Sequence, residues 1–159
     1  MTMEGKPPLV PTATSGLSFR RQTLERILPM PELLRVTADA YLKWTALSLA
    51  PGWFASEELT FLRIHGSNLF TRRREGKRRL SGQAEFLAGL SIYQGHPTLR
   101  RLAAKVLTRG LGKLRVYGGM EPGVTQPLRT LVQTLPLSQR VEIFLRTFYW
   151  TAFEQLRRG

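Results

Sequence analysis

Cysteine is absent from the chain, which removes disulfides, thiolate zinc sites and cysteine nucleophiles together and agrees with an intracellular protein. Asp39 is the only aspartate and the ten glutamates are scattered, so the clustered carboxylates that hold Mg²⁺ for phosphoryl transfer have few candidates. No apolar run is long enough for a bilayer: the longest, Trp44 to Ala55, is interrupted by Pro51-Gly52 and falls short of the roughly 20 residues that a span requires. Acidic charge is also scarce. Against 11 Asp and Glu stand 24 Lys and Arg, a formal charge of +13 on 159 residues. The expectation is a cytoplasmic protein with no membrane, metal or cofactor.

What is present is enough apolar sequence, 42%, to fold one compact domain without a staple. Residues 1–17, rich in Pro, Thr and small residues, read as a flexible leader before a single helical domain over 18–159. Ser18 caps a short helix to about Leu28, and a longer one runs from Pro31 to Ala50 with Leu33, Val36, Ala40, Trp44 and Leu47 as its buried stripe. Ser56 with Glu57 and Glu58 starts a third helix reaching about His65. A basic loop is expected near 71–80, then a helix from Gly82 to Gln94. The next helix begins at Pro97 and closes at Gly110, with Leu99, Leu102, Ala103, Val106 and Leu107 matching the helical template at every position. Leu111 to Pro127 reads as a glycine-rich connection with a brief extended piece at Leu114 to Tyr117. Two helices close the chain, one over Pro127 to Leu135 and the last from Ser138 to Arg157 with Val141, Leu145, Phe148, Ala152 and Leu156 inward. The fold class is all-α, a compact bundle of six or seven helices with at most a minor hairpin.

Catalytic signals do not hold up. Gly110-Leu-Gly-Lys-Leu resembles a phosphate loop but lacks the leading glycine, and Leu114 stands where Ser or Thr must reach Mg²⁺. His65 and His96 both sit at helix ends, where a capping role explains them, and nothing in the spacing gives either a catalytic partner. No catalytic residue is assigned, and the chain is expected not to be an enzyme.

The basic residues carry more. Arg101, Lys105 and Arg109 form a row spaced by four, with Arg100 beside it and no carboxylate on that helix to neutralise it. Such a row is either a solvated face or a track for phosphates. Arg72, Arg73, Arg74, Lys77, Arg78 and Arg79 surround Glu75 with no apolar residue among them, which fits a solubilising loop or a second phosphate contact. Lys113 and Arg115 follow within the expected glycine-rich loop. Arginines outnumber lysines nineteen to five. Guanidinium binds phosphate bidentately and stacks on bases, so the bias favours nucleic acid, although a GC-rich genome gives the same bias. Of Phe70, Tyr93 and Tyr117, near the basic segments, Tyr117 is the candidate for base stacking. In the last helix Phe144, Tyr149, Trp150 and Phe153 fall outside the inward stripe, so that helix is either central or docks on a partner through Tyr149 and Trp150.

A small, basic, helical, cysteine-free chain of this profile resembles the small subunits of CRISPR Cascade-type effector complexes, most closely at GQAEFLAGLSIYQGHPTLRRLAAKVLTRGLGKLR, Gly82 to Arg115. The resemblance implies a non-catalytic ribonucleoprotein subunit in antiviral defence. It would pack beside other subunits and steady the crRNA–target hybrid or displaced single-stranded DNA by backbone contacts. The expectation is single-stranded DNA or RNA binding without sequence reading. The competing class is a small basic adaptor, such as a transcription or phage factor, docking through its aromatic C-terminal helix.

Overall fold

In a computed structural model, the described residues are 16–32, 34, 38–53 and 76–158. They form six α-helices: α1 (Arg21–Ile27), α2 (Ala38–Leu49), α3 (Lys77–Gly95), α4 (Arg100–Tyr117), α5 (Pro122–Thr134) and α6 (Leu137–Leu156). No strand occurs among the described residues, and the fold is all-α. Most of the expected leader, the whole of the Ser56–His65 helix, and Leu33, Val36, Phe70, Arg72, Arg73 and Arg74 lie outside the described residues.

The centre is the antiparallel hairpin of α3 and α4, joined by a single 3-10 turn at Pro97–Leu99. Two glycines let the helices touch at the backbone. A Cβ on Gly89 would stand 2.4 Å from the Leu107 amide nitrogen, and one on Gly110 2.4 Å from that of Phe86. Around this seam Phe86, Ala88, Ile92, Ala103, Val106, Leu107, Leu111 and Leu114 are buried. The buried Thr108 hydroxyl donates to the Ala104 carbonyl one turn back (2.7 Å), so it enters the core with its hydrogen bond made.

The other helices cover this hairpin. Tyr41, Trp44 and Thr45 of α2 are buried over its turn end, where Tyr41 and His96 share a 3.3 Å hydrogen bond. Val124 and Leu131 anchor α5. α6 runs in the same direction as α4: Gly112 meets Trp150, and the Tyr117 hydroxyl donates to Glu154 (3.3 Å). Three tryptophans thus occupy different surroundings, Trp44 in the core, Trp53 fully exposed and Trp150 half-buried against α4.

Four expectations are corrected. Lys77, Arg78 and Arg79 form the first turn of α3 rather than a loop. α4 passes through Gly110 and Gly112, so Leu111 to Tyr117 is helical, with neither a loop nor an extended piece. The helix stops instead at Gly118 and Gly119, whose φ of 77° and 122° lie where other residues are strained. Pro122 takes the first turn of α5, and Pro127 lies inside it. The last correction concerns α6: Val141, Leu145, Phe148 and Leu156, expected inward, are exposed, and Ile143, Thr147 and Glu154 are buried in their place.

Candidate functional site

The row on α4 is divided by α3. Glu85, twenty-four residues before Arg109, accepts from Arg109 Nε at 2.8 Å and from Lys113 Nζ at 2.6 Å. Ser81 completes the cluster by accepting from Lys113 Nζ at 3.0 Å. Lys113 is buried, so its charge, expected on a phosphate-binding loop, is spent inside the hairpin. The Arg109 charge is likewise offset by Glu85, which periodicity along one helix could not reveal.

At the start of α3, Lys77, Arg78 and Arg79 face the positive end of the helix dipole, an unfavourable placement for cations. Two carboxylates from other helices offset it. Arg78 lies 3.8 Å from the buried Glu154 of α6, and Arg79 pairs with Glu121 at the start of α5. Arg115 is exposed. Arg100 is exposed and lies over the Tyr93 ring, 5.8 Å from its centroid. Tyr93 itself is buried and donates to Gln139 at 2.8 Å. Burial pushes its hydroxyl above its ordinary value of 10.0, with Arg100 opposing and Glu142 adding to the shift. Tyr117, the expected stacking residue, has its hydroxyl engaged by Glu154.

Arg101 and Lys105 differ from Arg109: no carboxylate among the described residues pairs with either. Lys105 opens onto a cleft of about 500 Å³ between α4 and α6, whose other walls are Leu145, Arg146, Tyr149 and Trp150. Trp150 is fixed there because its backbone lies against Gly112, where a Cβ would come within 2.7 Å of the Trp150 Cβ. Tyr149 and Trp150 meet edge to face with ring centres 5.3 Å apart, and Phe153 closes the cluster, stacked on Tyr149 at 6.4 Å and edge to face with Trp150 at 5.5 Å. Arg146 pairs with Glu142 one turn back at 2.8 Å. That pair is exposed, and such pairs hold by only about 0.3–0.5 kcal/mol, so a phosphate can take Arg146 from Glu142 at little cost.

Compared with family models, curated proteins and solved structures, the chain matches none. The site is therefore read from its own geometry. Two cations and two aromatic rings line one cleft, which suits an anionic, flat-ringed ligand. Among the described residues no group of His, Asp or Glu is placed to hold a metal ion, and no helix is long and apolar enough to cross a membrane. Sequence reasoning placed Lys105 and Trp150 in separate proposals. Their adjacency follows from the glycine contact at Gly112, which the sequence reading assigned to a glycine-rich connection. Arg146 was missed; its spacing of three and four from Tyr149 and Trp150 was the available signal.

Proposed function

We propose that the chain is a non-catalytic, nucleic-acid-binding subunit of a larger assembly that holds single-stranded DNA or RNA without reading its sequence. The observation that carries this reading is the α4–α6 cleft, where Lys105 and Arg146 flank Tyr149 and Trp150. A single strand offers phosphates and unstacked bases at this spacing, and stacking on aromatic rings tolerates any base. Arg100 and Arg101 extend the basic surface along α4. The resemblance to Cascade small subunits supplies one concrete setting, in which the bound strand is a displaced DNA strand or a crRNA–target hybrid.

The test is a salt titration with a fluorescent oligonucleotide. About four phosphate contacts give a log–log slope of about −3 for a single strand. Replacing Lys105 and Arg146 with Ala together removes two contacts and flattens the slope by about 1.4 units. Trp150→Ala weakens binding by about 1–3 kcal/mol with the slope unchanged. No binding at low salt ends this reading. The alternative, a protein-binding adaptor, is favoured by the exposed apolar face of α6, and is distinguished by a chain that finds a protein partner yet ignores the oligonucleotide.

A further inference from the structure

The outward face of α6 has an order of its own. Its exposed apolar residues include Leu137 at 75%, Phe148 at 64% and Leu156 at 83% of full exposure. At 100° per residue, Leu137, Val141, Phe144, Leu145, Phe148, Tyr149, Ala152 and Leu156 share one arc of α6 with only Ser138 and Gln155 between them. No charged residue falls on that arc, in a chain of net charge +13.

The arrangement is also palindromic. Reversing α6 about its midpoint, between Arg146 and Thr147, brings Leu137 onto Leu156, Val141 onto Ala152, Phe144 onto Tyr149 and Leu145 onto Phe148. The two uncharged polar positions, Ser138 and Gln155, exchange with each other. A two-fold interface demands this property, since each residue must be acceptable opposite its mate in both copies. A foreign partner imposes no such symmetry.

We infer that α6 pairs antiparallel with α6 of a second copy of this chain, across a two-fold axis near residues 146 and 147. The exposed apolar side chains offer on the order of 800 Å², the share that one partner gives to a standard interface. The absence of charge on the face answers the main objection to pairing two basic chains, because no like charges are brought into contact there. Glu142 and Arg146 at its margin already offset each other. An acidic partner, by contrast, would find no cation on this face to recognise. A two-fold axis perpendicular to the helices keeps corresponding flanks on one side, so both α4–α6 clefts open on the same face of the pair. This names the occupant of the surface on which the adaptor alternative rests; the paired face shares Leu145 and Tyr149 with the wall of the α4–α6 cleft, whereas Lys105, Arg146 and Trp150 lie off the paired arc.

The experiment is sedimentation of the full chain without nucleic acid, at micromolar concentration. The expected mass is twice the 18.1 kDa of one chain. Phe148→Glu places a charge beside the axis in each copy and raises the dimer Kd roughly thirtyfold or more, while circular dichroism shows the helical content retained. Direction is read by cross-linking, which the lack of native cysteine makes clean. Protein carrying Leu137→Cys mixed with protein carrying Leu156→Cys forms a mixed disulfide, and neither forms one alone. In a parallel pair those positions lie about 28 Å apart, beyond disulfide reach. A monomeric mass overturns the inference and leaves the face to a foreign protein, and self-cross-linking of Leu137→Cys overturns the antiparallel arrangement. A monomer that still binds the oligonucleotide removes the dimer alone, whereas Phe148→Glu protein, in which Leu145 and Tyr149 are uncovered, removes the nucleic-acid reading alone if it ignores the oligonucleotide while the unchanged chain is a dimer.

Discussion

The α3–α4 hairpin and α6 use apolar sequence in opposite ways. In the hairpin the contact is made by small residues: Gly89 and Gly110 bring two backbones together, and the large side chains around them are buried. In α6 three phenylalanines and Tyr149 are exposed, while two threonines and a glutamate line much of the buried side. Thr147 and Thr151 can do so because their hydroxyls donate to the carbonyls of Ile143 and Thr147 one turn back, at 2.7 and 2.8 Å. The lesson is that an apolar stripe identifies a contact face without saying whether the contact lies inside the chain.

Substitutions can break this contrast. The largest loss is expected for Gly89→Ala or Gly110→Ala, since the added Cβ meets a backbone nitrogen that cannot swing aside. Helix propensity favours alanine by about 1 kcal/mol, yet the net outcome in urea unfolding is a loss of about 3 kcal/mol or more. Next comes Ile143→Ala on the inner side of α6, at about 3 kcal/mol. Phe148→Ser on the outer side changes the stability of the dilute chain by less than about 0.5 kcal/mol. Equal losses at the two positions would dissolve the distinction between the faces.

Glu85→Ala comes third. It leaves Lys113 buried beside Arg109 with no carboxylate, and because Arg109 is one-third exposed water moderates the cost to about 2 kcal/mol. Adding Lys113→Met recovers most of that loss, which a thermal melt of the double variant reads. One substitution is expected to give a gain. Gly95→Ala, with open space around its Cβ, stabilises by about 0.4–1 kcal/mol through the unfolded chain.

How much of this was legible follows from range. The stripe Leu99, Leu102, Ala103, Val106 and Leu107 is local, and all five residues are buried. The course of the chain after Gly110 was not legible because a glycine after a helical stripe ordinarily marks a stop. Only the packing of Phe86 and Trp150 explains why glycine stands inside the helix at 110 and 112. A paired signal was present, as Gly82 and Gly89 repeat at the same seven-residue interval as Ala103 and Gly110. The candidate site was less legible than the fold. Glu85 reaches across the hairpin to pair with both Arg109 and Lys113, and Lys105 gains its aromatic neighbours, Tyr149 and Trp150, from a helix two elements further along the chain.

The distribution of the tryptophans gives the molecule three built-in optical reporters. Emission from Trp44, shielded in the core, should be blue-shifted and change only when the fold opens. Trp53, bare to solvent, should emit to the red and be the first quenched by acrylamide. Trp150 looks into the cleft, so a nucleobase stacked there should darken it while leaving the other two unchanged. One titration followed by intrinsic fluorescence therefore separates occupancy of the cleft from unfolding, without any label attached to the protein.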